Sequence, residues 1–90
     1  MTYYVYVLAC EDGSFYTGYT KNINLRVKQH KKGHGARYTR MHEPRNLIYV
    51  EEFQNRNDAM KREREIKSLS HNEKERLREQ SHTLYGHEGH

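Results

Sequence analysis

Between Tyr3 and Cys10 the chain reads YYVYVLAC, an uncharged run of phenolic and aliphatic side chains. Side chains alternate across a strand, so Tyr4, Tyr6 and Leu8 share one face and Val5, Val7 and Ala9 the other. Both faces carry apolar bulk and need cover. Glu11-Asp12-Gly13-Ser14 supplies a turn and Phe15 to Thr20 resumes a β-prone run, which together predict a hairpin. Asn22 is a capping residue, Ile23, Val27 and His30 recur at helical spacing, and Gly33 follows the basic pair Lys31-Lys32, so a helix is predicted over 23–32. From Gly33 to Arg45 the chain has Gly, Pro44 and no period, and reads as a basic loop. NLIYVEEF, Asn46 to Phe53, reads as a third strand. Asn57-Asp58 opens a helix to about Leu69, with Ala59, Glu63 and Ile66 along one face and Arg62, Arg64 and Glu65 outward. Ser70 and Glu73 form a capping box for a last helix toward about Gln80. The order is ββαβαα, an α+β arrangement, with residues 81–90 expected to form a flexible tail.

A chain of 90 residues holds one domain with one small core. Hydrophobic residues are 33% of it, so the eight tyrosines must supply part of that core. No apolar run approaches the roughly 18 residues of a membrane span, and Met1 is not followed by a basic and then an apolar segment. A cytoplasmic protein without membrane contact is expected. Cys10, the sole cysteine, excludes an internal disulfide and a Cys-based zinc cluster. The net charge of +4 hides an asymmetry: Lys21 to Arg45 carries eight Lys/Arg against Glu43 alone, a local +7. Lys21, Lys28, Lys31, Lys32, Arg37 and Arg40 in this band form an electrostatic footprint suited to phosphates, although charge runs also serve as solvated faces.

Candidate chemistry lies on three elements. Tyr6 and Tyr16 fall on paired strands, where two phenols on one face can line a site, and Gly18 leaves bare backbone beside them. Simple packing of β-prone tyrosines accounts for the same pattern. Arg26 and His30, four apart, share a helical face that offers a planar cation and a group exchanging protons near neutral pH. Glu63 stands where a core-facing apolar residue is expected, so its carboxylate requires a partner, either a Lys or Arg or a divalent cation.

Together these residues resemble the GIY-YIG nuclease superfamily, and more narrowly its small stand-alone bacterial, UPF0213-like group. Tyr4-Val5-Tyr6, Tyr16-Thr17-Gly18, Arg26, His30 and Glu63 carry the likeness, with the phrases ARYTR, LIYVEEF and EIKSLS, over about residues 1–80. The resemblance implies a three-stranded antiparallel sheet flanked by helices and hydrolysis of phosphodiester bonds in nucleic acid, DNA ahead of RNA. It implies that Tyr6 helps activate water, Tyr16 lines the site, Arg26 steadies the scissile phosphate, His30 assists proton transfer and Glu63 holds Mg²⁺ or Mn²⁺. Tyr4 stands where the family has Gly, and Val5 and Thr17 where it has Ile. The alternative reading is a non-catalytic nucleic-acid-binding module, in which tyrosines stack on bases and the basic band follows the backbone. Under that reading a divalent cation has no effect beyond ionic strength.

Overall fold

The computed structural model describes residues 1–35 and 37–85, the last five of them by backbone alone. Strand β1 (Tyr3–Cys10) is central and antiparallel to both β2 (Phe15–Thr20) and β3 (Pro44–Phe53). Helix α1 (Ile23–Lys31) and a short α2 (Arg37–Met41) lie between β2 and β3, and α3 (Arg56–Lys67) and α4 (His71–Tyr85) follow. This is the expected α+β domain of three antiparallel strands flanked by helices.

The alternation of β1 divides the core. Val5 and Val7 pack with Ala59 and Ile66 of α3 and Leu77 of α4. On the opposite face Tyr6 and Leu8 pack with Val50 and with Ile23 of α1. The starts of α1, α3 and α4 are satisfied locally: Asn22 accepts from the Leu25 amide, Asn55 from the Asp58 amide, and Ser70 and Glu73 exchange both bonds of a capping box. Helix α1 stops at Gly33, whose φ of +82° is cheap only for glycine. There the Gly33 amide bonds the His30 carbonyl and the His34 amide that of Gln29, a Schellman closure.

Three boundaries differ from the sequence expectation. The basic stretch after Gly33 contains α2, five residues long, too short for hydrophobic periodicity to show. Strand β3 begins at Pro44, which pairs with Cys10 beyond a register shift, a first-residue position where the missing amide is no loss. Helix α4 runs to Tyr85, past Gln80, and the rest of the expected tail, with His87 and His90, lies outside the described residues.

Candidate active site

The β1–β2 register places Tyr6 opposite Gly18 and Leu8 opposite Tyr16, so both phenols stand on the α1 face. A Cβ at position 18 would lie 2.8 Å from Tyr6 Oη, 3.0 Å from its Cζ and 3.1 Å from Tyr16 Cε2. The bare backbone at Gly18 is therefore filled by the protein's own phenol.

Tyr6 is buried, 1% exposed, and its Oη lies 2.8 Å from His30 Nε2. His30 comes from the last turn of α1 and is equally enclosed, with Nδ1 2.7 Å from Oγ1 of Thr39 on α2. Gly35 closes the far side: a Cβ there would lie 2.7 Å from His30 Cγ and 2.8 Å from Cε1. The result is a buried polar line from Tyr6 through His30 to Thr39, fitted between two glycines. The half-buried Tyr16 ring lies beside it, its centroid 6.2 Å from that of Tyr6 and 4.9 Å from that of His30.

Burial fixes the charge states along this line. It pushes the Tyr6 phenol well above the ordinary tyrosine range; Tyr16 and the charge of Glu63 push the same way, and Arg26 opposes them. Desolvation thus outweighs Arg26, and the phenol keeps its proton at neutral pH. Burial first and Arg26 second lower the pKa of His30, which keeps the ring neutral at pH 7.

Arg26 and Glu63 therefore act on Tyr6 from α1 and α3. The Glu63 side chain is 17% exposed and finds the partner it requires in Lys67, with Nζ 3.4 Å from Oε2. Lys21, Lys28, Lys31, Lys32, Arg37 and Arg40 are all exposed. Lys31, Lys32 and Arg40 line a cleft of about 310 Å³ that reaches His30 and Thr39, while Lys21 lines a separate cleft with Arg26.

Two contacts escape sequence reading. Thr39 lies in the segment read as loop and carries no periodic signal. Arg62, read as outward, turns back onto β3: its Nε donates to Glu51 Oε1 at 2.9 Å and a terminal nitrogen to Tyr49 Oη at 3.3 Å. The Tyr49 phenol, pushed up to about 12 chiefly by burial, needs polar partners, and Arg62 and Glu51 supply them.

Among the described residues no three His, Cys, Asp or Glu side chains converge on one point. A zinc-type cage is therefore not formed by them. A single hard carboxylate such as Glu63 fits Mg²⁺ or Mn²⁺ when water and phosphate oxygens complete the coordination.

A family model for the GIY-YIG catalytic domain matches residues 2–77. The chain belongs to the GIY-YIG family. It is 53% identical over 75 residues to a UPF0213 protein of Natronomonas pharaonis, covering 83% of this chain and 88% of that one. A UPF0213 protein of Staphylococcus aureus Mu50 is 45% identical over 76 residues, covering 84% and 93%. Among solved structures, the solution structure of UPF0213 protein BH0048 from Bacillus halodurans aligns with a TM-score of 0.54 at 47% identity, covering 86% of this chain and 82% of that one. That of EF2693 from E. faecalis aligns at 0.61 and 38% identity, covering 100% and 96%. The two GIY-YIG triplets lie on adjacent strands, and the register that sets Tyr6 against Gly18 joins the last residue of one to the last of the other.

Proposed function

We infer that this GIY-YIG domain hydrolyses phosphodiester bonds in nucleic acid, DNA in preference to RNA, with a divalent cation held at Glu63. The observation that carries this reading is the buried Tyr6–His30–Thr39 line, with Tyr16 beside it and Arg26 and Glu63 acting on the same phenol. Packing alone supports a buried tyrosine but has no use for a neutral histidine bonded at both nitrogens beneath it.

In the proposed reaction His30 carries its proton on Nδ1, donates it to Thr39 Oγ1, and accepts from the Tyr6 hydroxyl at Nε2. Tyr6 takes a proton from water as it passes its own to His30, so no free phenolate forms. Reaching one would cost about 4 kcal/mol even for an unburied phenol at pH 7. The hydroxide attacks phosphorus, the bond to the leaving oxygen breaks, and solvent protonates that oxygen. Arg26 offsets charge on the phosphate oxygens. Mg²⁺ or Mn²⁺, when bound, supplies Lewis-acid polarisation of the phosphate.

The test is cleavage of a panel of labelled DNA and RNA structures with and without Mg²⁺ or Mn²⁺, using the parent, Tyr16→Phe, Arg26→Ala and His30→Gln. The reading predicts metal-dependent cleavage reduced at least ~100-fold in Arg26→Ala. Parent-like rates in all three variants would refute it. Tight binding with no cleavage under any cation would leave the binding module as the reading.

A further inference from the structure

One cleft adjoins this site without belonging to it. Tyr3, Tyr19, Thr20, Lys21, Arg26 and Arg56 line a cavity of about 630 Å³ at the C-terminal end of the edge strand β2. That volume falls in the range that holds nucleotide-sized ligands. Three other clefts, of about 430, 300 and 310 Å³, each have carboxylates in their walls: Glu11 and Glu75 in the first, Glu51, Asp58 and Glu65 in the second, Glu43 in the third. The β2-edge cleft has three cations and no acid. Among the described residues, none of the three has a carboxylate within 4.0 Å.

The tyrosines hold these cations in place. Arg56 Nε donates to Tyr19 Oη at 3.1 Å, which fixes the guanidinium plane and leaves its terminal nitrogens as donors. Lys21 Nζ stands 5.9 Å from the centre of the Tyr3 ring. Arg26 belongs to both places: it lines this cleft, and its charge acts on Tyr6 and His30. A phosphate steadied by Arg26 would thus have Lys21 and Arg56 in the same cleft beside it.

We propose that Lys21 and Arg56, positioned by Tyr3 and Tyr19, form a second phosphate subsite that grips the backbone phosphate next to the scissile one. Arg56 lies outside the basic band of 21–45 and is separated in sequence from every other cation of the cleft. The inference rests on the nuclease reading for its substrate, and it is tested by binding alone.

Anisotropy of a labelled oligonucleotide, measured in EDTA so that nothing is cleaved, gives the affinity of the parent, Lys21→Ala, Arg56→Ala and the double variant. The oligonucleotide is supplied unmodified or with one phosphate at a time replaced by an uncharged methylphosphonate. The parent should lose affinity at two adjacent linkages. Arg56→Ala should bind about threefold to tenfold more weakly and no longer respond to one of them. Its salt slope should fall by about 0.7 on single strands or 0.9 on duplex. Arg56→Lys should keep most of the slope, and Arg64→Ala, an exposed cation on the same helix, should match the parent. An Arg56→Ala variant with an unchanged methylphosphonate profile would overturn the subsite, as would a parent that binds no nucleic acid. The expected profile together with absence of cleavage under any cation would keep the subsite and refute hydrolysis.

Discussion

Gly35→Ala is the sharpest probe of how His30 is held. Gly35 does not need glycine for its backbone, since only Gly13 and Gly33 among the described residues have positive φ. Its need is for space: the added methyl would sit 2.7 Å from Cγ and 2.8 Å from Cε1 of His30, inside the 3.0 Å that real Cβ atoms keep. The imidazole has nowhere to go, being 1% exposed and bonded at both nitrogens. Overpacking of this kind costs about 1–3 kcal/mol. If the ring tilts and one buried hydrogen bond breaks, the orphaned group adds about 1–3 kcal/mol. A loss of about 2–6 kcal/mol is expected, a large share of the roughly 5–13 kcal/mol that stabilises a domain of this size.

Gly33→Ala provides the contrast two residues away. There φ is +82° and nothing lies within 4 Å of the added Cβ, so the cost is backbone strain alone, about 1 kcal/mol. Urea unfolding at neutral pH, followed by circular dichroism, ranks the two variants. Repeating both in a His30→Ala background isolates the clash: Gly35→Ala should then cost under ~0.5 kcal/mol, and Gly33→Ala should cost what it did before. If Gly35→Ala is as stable as the parent, or equally damaging with and without the imidazole, His30 is not packed as described and the relay built on it fails.

The pH dependence of stability follows from His30. Its folded pKa lies below the ordinary 6.5, so the unfolded chain takes up a proton first and stability falls as pH drops below about 6.5; urea titrations should show a shallower fall in His30→Asn. A His30→Asn variant with the parent's slope would contradict this. Glu63→Gln should change stability by less than ~1 kcal/mol, because it breaks only the pair with the exposed Lys67, yet reduce metal-dependent cleavage at least ~100-fold; paired melting and cleavage measurements separate the two effects. Undiminished cleavage would remove Glu63 from the site. Arg62→Ala should cost about 1–2 kcal/mol in urea melts by stripping donors from Tyr49 and Glu51, and Arg62→Lys should recover little, since one ammonium cannot replace the fork. A fully stable Arg62→Lys would show that charge alone matters there.

What could be read beforehand was what neighbouring residues decide among themselves. The alternation in YYVYVLAC divides the two core faces because the strand period is two, β2 pairs with it without a shift, and β3 keeps register as far as Val7. Asn22 and the Ser70–Glu73 pair mark helix starts because a cap is closed within three residues. Thr39 was hidden because a five-residue helix shows no period, and its importance comes from a partner nine positions away. Arg62 misled for a related reason: on α3 it has the spacing of a solvent-facing charge, but Tyr49, thirteen residues away, needs a donor.

The same distinction governs the chemistry. Tyr6, Arg26 and Glu63 could be named as a set, yet the sequence offers no measure of how deeply the phenol is enclosed, and depth decides the direction of its pKa. A phenol ringed by cations at the surface would be poised to lose its proton; this one, enclosed by Gly18, Tyr16 and His30, is held in the protonated form. The basic end of any relay must then lie one group further in, at an imidazole that burial keeps neutral. That makes the glycines at 18 and 35 as much a part of the proposed chemistry as the residues that exchange the proton, since each provides the space in which one of the two rings is held.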